Sequence, residues 1–223
     1  MSSVADAKRV LRGRVRRARR DCAGGVLTAV DSASTAPSPA TVGAAEARAA
    51  AALAIATAAG PLLERQIPGS RVAAYRALGT EPPTDALIDR ALGRGLSVIV
   101  PELLPDRDLD WRAVRADGSL GPLLGRSAIA SAELVVVPAL LVDRSGRRLG
   151  QGGGSYDRAL RRTSASALVV AVVGDGELVA GPLPVDLHDV DVDAVITPGA
   201  GLLRLRPLTG TASARPALSP EPP

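Results

Sequence analysis

Residues 143–160, DRSGRRLGQGGGSYDRAL, constrain the fold more than any other stretch, because they gather basic residues, five glycines and two acids just beyond a strongly apolar run. That run, residues 134–142, carries Val135, Val136 and Val137 without polar interruption up to Pro138, which predicts a strand buried on both faces. Gly150, Gly152, Gly153 and Gly154 permit positive φ and close approach of backbone to a ligand. Ser155 is placed to cap a short helix carrying Tyr156, Asp157 and Leu160. Open N–H groups in such a loop attract an anion, Arg147 and Arg148 supply planar forks suited to phosphate oxygens, and Asp157 suits a cation that bridges them. Neither named phosphate loop applies, since GxGxxG fails at Ser155 and GxxxxGK[ST] is absent. The plain alternative is a glycine-rich surface loop, which the flanking arginines and acid on a strand-loop-helix frame disfavour.

Along the chain, the spacing of Val4, Leu11, Val15 and Ala18 predicts an amphipathic helix over residues 4–20. Lys8 and Arg12, four apart, project from one side of it; Arg14, Arg16, Arg17, Arg19 and Arg20 read as solvated charge. Residues 31–42, rich in Ser, Ala and Pro, read as a flexible insertion, and residues 43–59 as an alanine-rich helix stopped by Gly60-Pro61. Residues 71–75, 96–100, 167–173 and 193–197 are strand candidates. Residues 84–92 are expected to form a helix with Thr84 as its cap, and residues 109–120 a marginal hairpin turning at Asp117-Gly118. Trp111 reads as a packing anchor, with the wall of a ligand pocket as its alternative. This alternation implies one α/β domain, residues 1–203, in three layers: a mostly parallel, Rossmann-like sheet flanked by helices, with its site at the strands' carboxyl ends. Residues 204–223 read as a Pro/Ala-rich disordered tail.

The pattern Asp143-x-x-Gly146-x-Arg148-Leu149-Gly150-x-Gly152-x-Gly154-x-Tyr156-Asp157 resembles the signature of the 5-formyltetrahydrofolate cyclo-ligase (methenyltetrahydrofolate synthetase) family. Leu183-Pro184-x-x-x-His188-Asp189-x-x-Val192-Asp193 with Ile196-Thr197 is similar to that family's second block, and Lys8-x-x-x-Arg12 and Tyr75 to Glu81-x-x-Thr84 also fit. The first block departs at Ser155, where the family usually has a tyrosine. The resemblance implies ATP- and Mg²⁺-dependent conversion of 5-formyltetrahydrofolate to 5,10-methenyltetrahydrofolate through phosphorylation of the formyl oxygen. It further implies that Lys8, Arg12, Arg148, Leu149, Gly150, Gln151, Gly152, Gly153, Gly154, Ser155 and Tyr156 hold ATP, and that Glu81 with Tyr156 positions the reduced folate. Mg²⁺ takes one or two carboxylates and fills its remaining positions with water and phosphate, so Asp157 and Asp189 are the expected metal ligands. His188, the single histidine, reads as a hydrogen-bonded structural residue.

The formal charge of +4 suits a small anion as well as nucleic acid, yet no aromatics interleave the basic residues as in a single-strand binder, so a nucleic-acid partner is not expected. Cys22 is alone, which removes a disulfide framework and a CxxC metal cluster. There is no apolar leader, and residues 44–59 are interrupted by Glu46 and Arg48, so a cytoplasmic monomer without a membrane span is expected. Two rivals from other classes are a nucleotide- or folate-binding regulator with weak turnover and a nucleic-acid binder built on residues 4–20.

Overall fold

Period-two alternation decides the layering. Leu134 and Val136 enter one core cluster while Val135 and Val137 enter another, and Val72 and Ala73 divide the same way. A sheet with both faces apolar must be covered on both. The computed structural model describes residues 3–24 and 39–205. In chain order the elements are α1 (Val4–Gly24), α2 (Pro39–Glu64), β1 (Arg71–Ala73), α3 (Asp85–Gly93), β2 (Ser97–Leu103), β3 (Leu109–Val114), β4 (Leu120–Leu123), β5 (Ala132–Pro138), β6 (Leu141–Asp143), β7 (Arg148–Leu149), α4 (Ser155–Leu160), β8 (Leu168–Val172), β9 (Leu178–Val179), β10 (Ala194–Thr197) and β11 (Gly201–Arg204).

Eight strands form one sheet in the order β11-β10-β8-β5-β1-β2-β3-β4. The five inner strands pair parallel, from β10 through β8, β5 and β1 to β2, and antiparallel strands close both margins. α2 and α3 cover one face through Ile55, Leu62, Leu63 and Leu87. Trp111, Ile129, Ala159 and Leu160 cover the other, beside a small β7-β6-β9 sheet. Each Ile or Leu side chain among these, taken fully from water, contributes about 1.5–3 kcal/mol. Strand placement reverses between β1 and β5: the chain runs outward from β1 to β2 on one side and from β5 to β8 and β10 on the other. Open α/β sheets bind ligands at such a reversal, beyond the carboxyl ends.

Several expectations need correction. α2 continues through Gly60 and Pro61, because Ala59, Leu62 and Leu63 are buried on either side, and packing overrides the lost backbone bond. It also starts at Pro39, so the end of the expected insertion is helical; residues 31–38 lie outside the described chain. Within α2, Val42–Glu64 is long and apolar enough to cross a membrane by length and composition, contrary to the sequence reading, although Ile55, Ala59 and Leu63 pack in the core. The apolar run of residues 134–142 is two strands, since the chain leaves the main sheet after Pro138 and Leu141 starts the small one. β11 reaches Arg204 and pairs it with Ala194, inside the expected tail; residues 206–223 lie outside the described chain. On α1 only Leu11 and Val15 pack inward, against Leu141, Leu149 and Leu183, whereas Val4 and Ala18 are exposed. The hairpin from Leu109 forms as expected at the margin, and Trp111 is core, 1% exposed.

Candidate functional site

The glycine loop is shaped by two arginines. A Cβ on Gly150 would lie 2.8 Å from Arg148 Nη1, and one on Gly152, where φ is 101°, would lie 3.2 Å from Arg12 Cζ. Glycine is therefore required at 152 by its positive φ, while at 150 a Cβ would displace the end of the Arg148 side chain. Gly154, with φ 70°, is the residue that caps α4; Ser155 is the first helical residue and makes no capping bond, which corrects the expected cap. Arg148 is buried and donates to Asp157 Oδ1 at 2.5 Å, while its Nε has no partner among the described residues. Arg147 is not a lining residue. Its backbone closes the turn after β6 by donating to Asp143 Oδ1.

α1 lies along this loop and attaches by charge. Lys8 Nζ donates to Asp186 Oδ2 at 2.7 Å and to Asp189 Oδ2, Arg12 Nε to the Gly150 carbonyl at 3.0 Å, and Arg16 to the Gln151 side chain and carbonyl. Arg19 forks onto Glu177 at 2.6 Å and also reaches the Ala139 carbonyl. Residues 8, 12, 16 and 19 thus make one stripe facing the loop; Arg19, its side chain 8% exposed, is not the solvated charge expected, whereas Arg16 bonds to Gln151 while remaining exposed. Their spacing from Arg12 was the available signal. Burial alone would lower the Lys8 ammonium, but the hydrogen bonds and charges of Asp186 and Asp189 outweigh it and hold its pKa above the ordinary lysine value.

The two signature blocks meet here. Asp143 Oδ2 accepts from the Leu183 amide, the Gly146 carbonyl from the Val192 amide, and Asp157 Oδ1 from the Val190 amide, while Arg161 donates to the His188 carbonyl. His188 itself is exposed. The facing wall comes from the exit of β1. Tyr75 donates its hydroxyl to the Pro82 carbonyl, Thr84 donates to the Tyr75 carbonyl instead of capping α3, and Glu81 Oε2 accepts from the Leu78 amide. Burial pushes the Tyr156 hydroxyl far above the usual phenol range and nearby Glu81 adds to this, so the group is a neutral donor.

Between these walls lies a cleft of about 1030 Å³. Apart from Arg147, the residues to which the sequence assigned a site role line it: Lys8, Arg12, Glu81, Arg148, Leu149, the loop from Gly150 to Gly154, Ser155, Tyr156, Asp157 and Asp189. Sequence reasoning missed Asp186, the apolar rim of Leu78, Leu103 and Leu120, and Leu187, which is 99% exposed. Asp157 and Asp189 are not the free carboxylates expected of metal ligands, since each is held by a cation of the protein. Among the described residues no three His, Cys, Asp or Glu form an all-protein cage. The bonds described use one oxygen of each carboxylate, Asp157 Oδ1 and Asp189 Oδ2, so a Mg²⁺ held here would have to use Asp157 Oδ2 and Asp189 Oδ1. That donor chemistry fits the ion.

Fold and site define an open α/β domain with a ligand cleft, lined by a glycine loop and cations, at the reversal of strand order. The structure matches a 5,10-methenyltetrahydrofolate synthetase from Aquifex aeolicus with TM-score 0.61 and 22% identity, covering 90% of this chain and 93% of that one. A 5,10-methenyltetrahydrofolate synthetase from Mycoplasma pneumoniae matches with TM-score 0.59 and 14% identity, over 84% and 96%. The 5-formyltetrahydrofolate cyclo-ligase family model matches residues 5–198, and the chain belongs to that family. A 5-formyltetrahydrofolate cyclo-ligase of Mycolicibacterium smegmatis is 38% identical over 156 residues, covering 63% of this chain and 80% of that protein.

Proposed function

We propose that the protein is an enzyme that converts 5-formyltetrahydrofolate to 5,10-methenyltetrahydrofolate while ATP becomes ADP and phosphate. Family membership indicates the cyclo-ligase activity. The observation that carries the finer reading is the convergence of the α1 cations, the glycine loop and the acidic loop before β10 on one cleft that Glu81 and Tyr156 also line.

A formamide oxygen is a poor leaving group. Transfer of the γ-phosphoryl group to it makes it a good one; N10 then attacks the activated carbon, the C–O bond breaks, and phosphate departs. Phosphoryl transfer demands alignment and charge neutralisation more than a protein nucleophile. Lys8, Arg12 and Arg148 hold phosphate oxygens, and residues 149–155 enclose them with backbone N–H groups. Glu81 accepts hydrogen bonds from the pterin through Oε1, and the neutral Tyr156 hydroxyl donates to the folate. Asp157 and Asp189 would hold Mg²⁺, which supplies neutralisation of phosphate charge when bound.

The test is to mix the protein with 5-formyltetrahydrofolate and Mg-ATP and follow the absorbance of the methenyl product. We expect product to form only with both substrates present, and Asp157→Asn to lower turnover roughly ten- to a hundredfold; because it also takes the charged partner from the buried Arg148, its melting temperature falls too, so turnover is compared at a temperature where both proteins are folded. Absence of product from folded protein would sink the reading. Unchanged turnover of Asp157→Asn at limiting Mg²⁺ would remove Asp157 from the metal site.

A further inference from the structure

We propose that Asp186 is a specificity-determining residue: it occupies Lys8 in the free protein and makes the site favour triphosphate carrying a divalent cation over bare triphosphate. The inference rests on the assignment of Lys8 to the phosphates.

Lys8 is 4% exposed and two carboxylates converge on its ammonium, Asp186 at 2.7 Å and Asp189 at shorter range. One positive and two negative charges leave that corner of the cleft net negative, although the lining as a whole holds six Lys and Arg side chains against four Asp and Glu. A bare triphosphate approaching Lys8 meets this excess and competes with a carboxylate for the same protons. The carboxylates differ in freedom. Asp189 has a 20% exposed side chain and accepts both Lys8 and the Asp186 amide on Oδ2, so it is held in the loop; Asp186 has a 51% exposed side chain and Lys8 as its described partner. Asp186 can therefore swing to solvent when a phosphate oxygen takes its place. A bound divalent cation lowers the net charge of the incoming nucleotide, and Asp189 remains to face that cation. The discrimination resides in the charge of Asp186, because its amide contact to Asp189 survives side-chain substitution.

Asp186→Asn keeps the shape of the side chain and removes the charge. Calorimetric titration with ATP, in EDTA and in Mg²⁺, reads the effect without turnover. We expect bare ATP to bind roughly three- to tenfold tighter to Asp186→Asn than to the wild type, with a smaller gain for Mg-ATP, so that the ratio of the two affinities narrows. Unchanged or weaker binding of bare ATP, or an equal gain for both forms, overturns the proposal. Lys8→Ala separates this failure from failure of the underlying reading. If Lys8→Ala weakens ATP binding while Asp186→Asn does not shift the ratio, Lys8 is a phosphate ligand and the role of Asp186 is wrong. If Lys8→Ala binds ATP as the wild type does, the phosphate assignment itself falls and takes the inference with it.

Discussion

Asp143 is 1% exposed, and its carboxylate accepts from the Ser145 amide and hydroxyl, the Arg147 amide and the Leu183 amide. Burial would raise its pKa, but these donors outweigh burial and hold it below the ordinary value of 3.8. A depressed pKa means stability that is fully present above 3.8 and lost as pH falls through the folded-state value. Asp143→Asn should cost about 1.5–3 kcal/mol at pH 7, since a charged acceptor becomes neutral and an NH₂ meets amide donors. Thermal denaturation across pH should show the gap between the two proteins closing below pH 3.8; a gap constant across pH would deny the carboxylate this role. At Ser155, where the chain departs from its family's usual tyrosine, there is no cap to lose, because Gly154 provides the helix start. Ser155→Tyr adds a ring to the cleft wall and should raise kcat/KM for 5-formyltetrahydrofolate several-fold, through stacking of about 0.5–1.5 kcal/mol, at unchanged melting temperature. Equal or lower efficiency in well-folded protein would mean the cleft is shaped around serine.

At the scale of elements, α1 is attached mainly by its cationic stripe, with Leu11 and Val15 as its packed apolar contacts. Its C-terminal half depends on Arg19 and Glu177, whose side chains are 8% and 14% exposed, and Glu177 Oε2 also accepts from the Gly174 amide at the end of β8. Breaking one partner of a buried pair costs about 3–5 kcal/mol. Because few other contacts hold α1, Glu177→Gln should release the helix locally rather than unfold the sheet. Hydrogen exchange should show α1 amides losing protection while β5 and β8 keep theirs, and KM for ATP should rise more than KM for folate. Uniform loss of protection would show that the pair supports the whole domain. Only part of this element was legible in the sequence: the 3.6 period located the helix, and spacing linked Lys8 with Arg12. Period alone does not reveal which long basic side chains turn inward, because each solvated arginine and each buried one occupies the same kind of position.

For the whole molecule, the sheet places the exit of β1 and the exit of β5 side by side at the reversal of strand order, which brings Tyr75 and Glu81 opposite Pro138 and the glycine loop. Trp111 belongs to the core of the second face and not to the cleft. Trp111→Phe should therefore leave KM for folate unchanged and cost about 1 kcal/mol in chemical denaturation, since the smaller ring loses packing but also removes an indole N–H without a partner among the described residues. A raised KM for folate at intact stability would return Trp111 to the substrate wall. By itself the sequence determined the buried strands, through apolar β-branched runs without polar interruption, and the glycine loop with its arginines, since local chain chemistry sets both. It also marked most of the polar residues that line the cleft, because two ordered blocks resemble one family pattern. Only the tertiary structure decided their partners. Lys8 and Asp189 are 181 residues apart, Arg19 and Glu177 158 apart, and the choice of Asp186 over open solvent for Lys8 depends on where a loop passes once the sheet has closed. Residue periodicity reports the face a side chain occupies, whereas an ion pair is selected by distance and desolvation, and those exist only after folding.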